Sequence, residues 1–260
     1  MSGSIIPKII HYCWFGRGKK PDSVEYCVST WKRFLPDYRI VEWNEDNFPI
    51  ADACDYVKEA YQSKKWAFVA DYVRLVALYE YGGFYFDTDV EVFKSFDDLL
   101  HHPAIFGFEV KDYVMTAVMG VRKHSPIIKD FMAEYEGRHF ILEDGTLNTD
   151  MTNVKILTKM LKKKGLQLNG KLQNIEEAVI FPQGYFSPND FRNIFLKYKP
   201  ENYAYHHCFA SWYRADSKNG YPERLRHYLL CKAQNAIGTT NLYRLRHPGY
   251  ADPMADGSET

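Results

Sequence analysis

Two aspartates one residue apart close an otherwise aromatic and aliphatic run, YEYGGFYFDTDVEVF, at residues 79–93. Read as a strand of period two, the run puts Tyr85, Asp87, Asp89 and Glu91 on one side and Phe84, Phe86, Thr88 and Val90 on the other. Two carboxylates on one side repel unless they are hydrated, protonated or shared with a cation, and hard divalent metals prefer such oxygen ligands. Gly82 and Gly83 allow a tight entry from the preceding helix into the strand. The plain alternative is an exposed strand end with two solvated acids, and the aromatic setting argues against it.

The helix leading into this run, KKWAFVADYVRLVALYEYGG, is apolar at nearly every position from 66 to 79 except Asp71 and Arg74. Such a helix is buried, and residues three apart share a face. A bare intrahelical pair recovers little of the desolvation cost of two ions, so Asp71 and Arg74 need further polar partners. Loop backbone would satisfy them, and so would a bound polyhydroxyl ligand.

Two other chemistries use the same letters. An EF-hand loop starting at Asp87 needs glycine at its sixth position and glutamate at its twelfth, where Val92 and Asp98 stand, and is excluded. A haloacid-dehalogenase-like phosphatase also ends an apolar strand in DxD, with the first aspartate as nucleophile and the second as general acid. No convincing downstream lysine and acidic pair accompany it here, so it stands as the alternative. A carbohydrate-binding protein without turnover is a further one, against which the intact Asp87 and Asp89 argue.

The elements that must position these residues follow from periodicity. IIPKIIHYCWFG opens with a β-branched run that predicts a buried first strand ending near Trp14 and Gly16, before a loop at GRGKKPD. A helix over 23–34, a strand over 39–43 and helices over 51–61 and 65–81 follow. This β-α-β-α order implies a largely parallel sheet with ligands beyond the carboxyl ends of its strands. AIFGFEV and VMTAVMGV read as paired strands, 124–135 and 150–163 as helices, the second closed by KKKG. AVIFP and YAYHHCFASW read as short strands, 221–234 as a C-terminal helix and 251–260 as a frayed tail. No linker divides the chain, so residues 1–250 are expected to form one α/β domain.

Composition narrows the partners. With 33 Lys and Arg against 33 Asp and Glu, no global field favours nucleic acid or an anionic membrane, so any phosphate affinity is local. Five cysteines without a CxxC pair argue against a disulfide framework and a structural zinc site, and a reducing cytosol fits best. No apolar run is long enough to span a bilayer, so any membrane attachment would be peripheral. The 20 tyrosines supply flat faces with polar tips, which suit sugar rings or nucleobases.

The segment ADYVRLVALYEYGGFYFDTDVEV resembles the signature of the DXD glycosyltransferases with a sugar-binding region, glycosyltransferase family 32. IPKIIHYCWFG is similar to that family's first strand and HHCFASW to its C-terminal H…SW element, and the catalytic domains of large clostridial glucosylating toxins are similar in the same three places. The resemblance implies a GT-A-like fold with helical C-terminal additions and a divalent cation, Mn2+ or Mg2+. It makes Asp89 the direct metal ligand and Asp87 a partner of ribose, donor sugar and metal-bound water. Asp71 and Arg74 would hold the donor sugar, Tyr85 would line its site and Trp14 would stack on the nucleobase, typically uracil. His206, or else His207, would complete the metal shell or bond a phosphate, with Ser211 and the Trp212 indole donating to phosphate oxygens. Where the family often has serine before the helix aspartate, this chain has Ala70, which removes one polar contact to the donor.

The implied activity is metal-dependent transfer, with retention of configuration, of a hexose or N-acetylhexosamine from a UDP-sugar to a glycan hydroxyl. Cation and donors would stabilise charge on the departing nucleoside diphosphate. No carboxylate is an obvious covalent nucleophile, so a same-face mechanism is preferred to double displacement. Relatives of this kind build capsule or lipopolysaccharide on oligosaccharide or lipid-linked acceptors at the cytoplasmic face of the membrane.

Overall fold

Side chains of the buried first strand alternate between two cores with the sheet's pleat, so that Ile10 and Tyr12 enter one while Cys13 enters the other. The computed structural model describes residues 5–110, 112–149, 152–187 and 199–207. In chain order the elements are β1 (Ile9–Cys13), α1 (Asp22–Phe34), β2 (Arg39–Trp43), α2 (Asp55–Gln62), α3 (Trp66–Tyr81), β3 (Gly83–Phe86), β4 (Val90–Val92) and β5 (Ala104–Val110). They continue with β6 (Tyr113–Val114), β7 (Val118–Val121), α4 (Pro126–Ala133), α5 (Asn153–Lys163), β8 (Gln173–Ile175), β9 (Ala178–Phe181), α6 (Gln183–Phe186) and β10 (Ala204–His206).

The main sheet runs β2-β1-β3-β7-β5-β9-β8, with β6 on β5. Strands β1, β2, β3, β5 and β9 point one way and β6, β7 and β8 the other, so the expected α/β fold with a mostly parallel sheet is present, interrupted by antiparallel β7 at its centre. Phe84 and Phe86 face the core built with α1, whereas Tyr85 faces the core built with α2, α3, α4 and α5. Among the described residues no helix is long and apolar enough to cross a membrane.

Three expectations needed correction. The helix expected over 51–61 is a 3-10 turn, Ile50–Asp52, followed by α2, because Ala53 and Cys54 adopt extended backbone between them. VMTAVMGV is not one strand: it is divided into β6 and β7 around residues 115–117, where the carbonyls of Thr116 and Ala117 turn to other work. The run through the acidic pair is not continuous either. It ends at Phe86, turns at 87–89 with Val90 N–H donating to Asp87 O at 3.0 Å, and resumes as β4, which leaves the main sheet to pair with β10. Period two therefore holds only to Phe86, and Glu91 is buried against Tyr26 of α1 instead of sharing a face with Tyr85. The helix expected over 221–234 and the tail at 251–260 lie outside the described residues.

The joint between α3 and β3 explains its two glycines. Gly82 and Gly83 have φ of +65° and +98°, a region that penalises any side chain. A Cβ on Gly82 would lie 2.6 Å from the Lys123 backbone nitrogen, and one on Gly83 2.5 Å from the Ile9 carbonyl oxygen. The helix can thus feed the central strand directly, and Arg74 on α3 comes to lie over Tyr85 on β3.

Candidate active site

Arg74 is buried, and each arm of its guanidinium is engaged. Nε donates to Ala70 O at 3.1 Å, Nη1 to Thr116 O at 2.9 Å, and Nη2 to Asp71 Oδ1 at 3.0 Å. Nη1 also lies 3.2 Å from Asp87 Oδ1, and the cation sits 4.4 Å from the Tyr85 ring centroid. The polar partners that the apolar helix demanded are therefore a loop carbonyl, a second carboxylate and an aromatic face. Asp71 is closed by Asn153 at the start of α5, whose Nδ2 donates at 2.6 Å. Burial pushes the Asp71 carboxyl up to about 7, with Arg74 opposing and Asp87 adding to the rise.

The 87–89 turn is fixed from the same loop. Asp87 N–H donates to Ala117 O at 2.9 Å, and Tyr85 OH donates to Asp87 Oδ1 at 3.1 Å. Burial raises the Asp87 pKa against the pull of Arg74, and the neighbouring Asp89 raises it further, which is the repulsion anticipated for adjacent carboxylates. About 29% of the Asp87 side chain remains exposed, enough to meet a ligand while its Oδ1 is held by protein.

Asp87, Asp89 and His206 bring one ligand atom each to within 4.8 Å of one another. Two carboxylates and an imidazole suit a divalent cation such as Mn2+ or Mg2+, and a cation there relieves the repulsion between Asp87 and Asp89. Antiparallel pairing of β10 with β4, in the register His206↔Val90, carries the histidine to the turn. His206 Nε2 lies 3.4 Å from Asp89 Oδ1, and its Nδ1 lies 3.0 Å from Glu109 Oε1. His207, the other candidate, turns away: its Nε2 is 2.9 Å from the buried Glu91, so the structure does not bring it to the acidic pair.

Trp14 stands half-buried just past β1, at the carboxyl end of the strand, where the resemblance puts the nucleobase. Its indole N–H is not free but donates to Gly18 O at 2.7 Å. The surrounding loop is tied to the end of β2 by Gly16 N–H to Glu45 at 2.7 Å and by ion pairs Arg17–Asp46 at 2.7 Å and Lys20–Glu42 at 2.6 Å. Ser211 and Trp212 lie outside the described residues.

Sequence reasoning missed Asn153, Glu109 and the carbonyls of Thr116 and Ala117. Asparagine opening a helix reads as a terminus signal, and a backbone carbonyl leaves no trace in side-chain chemistry. For Glu109 the only cue was an acid ending the otherwise apolar AIFGFEV.

Residues 21–106 match the family described as a glycosyltransferase sugar-binding region containing a DXD motif. Inositol phosphoceramide mannosyltransferase 3 of Schizosaccharomyces pombe is 34% identical over 129 residues, covering 47% of this chain and 35% of that protein. Inositol phosphoceramide mannosyltransferase 2 of the same yeast is 25% identical over 221 residues, 82% of this chain and 60% of that one. The chain thus spans about a third to three fifths of the length of these two relatives. The solved structure of a PaToxG glycosyltransferase covers 62% of this chain and 71% of its own at 18% identity, with a TM-score of 0.49. The stretch that matches this family, residues 21–106, contains the chain's own D-x-D at Asp87, Thr88 and Asp89.

Proposed function

We propose that the chain is a metal-dependent, GT-A-like glycosyltransferase that moves a hexose or N-acetylhexosamine from a nucleoside diphosphate sugar to a glycan hydroxyl with retention. The observation that carries this reading is the juxtaposition of Asp87, Asp89 and His206 with the buried Arg74–Asp71 pair. Asp89 and His206, with Asp87 beside them, would hold Mn2+ or Mg2+, which when bound offsets the charge of the diphosphate leaving group. Arg74 and Asp71 bind and orient the sugar, and a carboxyl poised near neutrality can accept from or donate to a sugar hydroxyl. Trp14 stacks on the base, for which uracil is the leading candidate. Asp87 Oδ1 is held by Arg74 and Tyr85 and its carboxylate faces the cation site, and the reading adopted is same-face attack by the acceptor rather than double displacement.

Among hexoses, mannose gains weight from the two yeast relatives named as mannosyltransferases of inositol phosphoceramide. A lipid-linked acceptor, or a growing surface polysaccharide such as capsule, is the corresponding acceptor class, reached by peripheral attachment. The test is a thermal-shift screen of UDP- and GDP-linked hexoses and N-acetylhexosamines with and without Mn2+, repeated on Asp89→Asn. One donor should stabilise the parent in a Mn2+-dependent way, and the variant should keep its fold and lose that dependence. Equal Mn2+-dependent stabilisation of parent and variant would sink the assignment.

A further inference from the structure

We propose that Glu109 is a positioning residue for the cation site: its carboxylate fixes the His206 ring so that Nε2, and not Nδ1, faces Asp89. The inference deepens the proposed function and rests on its metal-binding reading.

Three observations converge on it. The first is backbone geometry. Strand β5 pairs with β6 through Phe108↔Val114 and Val110↔Tyr113, so Glu109 is the extra residue of a bulge. A bulge re-aims one side chain out of the regular alternation, and bulges recur beside functional sites for that reason. The second is the contact itself, His206 Nδ1 to Glu109 Oε1 at 3.0 Å, with Nε2 on the opposite side of the ring 3.4 Å from Asp89 Oδ1. A hydrogen bond to Glu109 requires the proton on Nδ1, which leaves the neutral imidazole with its lone pair on Nε2, directed at the acidic pair. The third is that Glu109 is not one of the three residues whose ligand atoms converge within 4.8 Å. It touches the far nitrogen, in the place of a carboxylate supporting a metal-bound histidine.

The backbone on the other side of the ring is equally fixed. His207 N–H donates to Asp89 O at 3.0 Å, and the His207 ring reaches Glu91, which also accepts from Tyr26 OH. With strand β10 pinned from that side, the Nδ1 contact with Glu109 restrains rotation of the His206 side chain.

Mn2+ titrations followed by electron paramagnetic resonance, with pulsed measurement of nitrogen-14 hyperfine coupling to the bound ion, test the proposal. The parent should bind Mn2+ with nitrogen coupling that His206→Ala abolishes. Glu109→Ala should bind about 10–100-fold more weakly, the usual cost of losing such a partner, with reduced coupling. Glu109→Gln, nearly isosteric and therefore the variant that keeps the fold if alanine does not, still accepts from Nδ1 but lacks the charge, and should fall between parent and alanine. Parental affinity and coupling in the glutamine and alanine variants, or in glutamine alone if alanine unfolds, overturn the proposal. So does weaker binding with undiminished coupling, which would make Glu109 a ligand in its own right. A parent that binds Mn2+ without nitrogen coupling overturns the role of Glu109 and leaves metal-dependent transfer standing; a parent that binds no Mn2+ overturns both.

Discussion

At the scale of single residues, Arg74 is the hub, because one buried guanidinium satisfies Asp71, Asp87 and two carbonyls, with only Asp87 partly open to solvent. Removing one partner of a buried pair leaves the other charge uncompensated, at a cost of about 3–5 kcal/mol. Arg74→Ala should therefore lose stability on that scale in urea unfolding without added metal. A loss under about 1 kcal/mol, the scale of exposed pairs, would show that the network is solvated and that Arg74 acts only on ligand. This hub was legible in the sequence because two charges on an otherwise apolar helix demand an explanation. Its closure by Asn153 was not, since the contact spans 82 positions and nothing local marks it.

At the scale of elements, the strand and helix periods were readable wherever one element ran to its natural end: β2 is found as expected, and α1 and α3 within a residue at their starts. Two of the three misreadings fall where the chain leaves the sheet to serve the site; the third, the break at Ala53 and Cys54 before α2, does not. Residues 87–89 turn so that Asp87 and Asp89 project at the strand end, and residues 115–117 interrupt a strand pattern so that the carbonyls of Thr116 and Ala117 can hold Arg74 and Asp87. Local patterning cannot register such departures, because the partner that compensates the lost ladder bonds is remote in sequence. The loop after β1 is the corresponding element on the donor side. On the proposed pose, Trp14→Ala should cost about 1–3 kcal/mol of affinity for the nucleoside diphosphate, the scale of base stacking on an aromatic platform. Trp14→Phe should restore the π-face but not the bond to Gly18 O, so recovery should be partial. Titration of the three proteins with the nucleotide chosen by the thermal-shift screen measures this, and an alanine variant that binds like the parent would make Trp14 a packing residue.

At the scale of the whole molecule, His11 ties the sheet to the joint that delivers Arg74 and the acidic turn. It is fully buried on β1, where Nδ1 accepts from the Trp43 indole at 3.1 Å and Nε2 donates to Gly82 O at 2.9 Å. Both ring nitrogens are used by the neutral form, and burial lowers the pKa from 6.5 to about 4. Above pH 6.5 neither the folded nor the unfolded chain is protonated there. As pH falls from 6.5 towards 4, the unfolded chain takes up a proton that the fold refuses, so stability falls by about 3 kcal/mol and then levels off. Asp71 works in the opposite sense, because its raised pKa lets the folded state hold a proton that the unfolded state has released, a contribution lost as pH rises through about 7. In the parent the two slopes offset one another. Urea unfolding from pH 4 to 8 without added metal should therefore separate them by difference. The stability of the parent minus that of His11→Gln should grow by about 3 kcal/mol from pH 4 to 6.5 and stay flat above it. The parent minus Asp71→Asn should instead shrink as pH rises from 4 to 7. A pH-independent difference for His11→Gln would mean that the histidine titrates normally in the fold, and that the anchor joining β1, Trp43 and Gly82 opens to water.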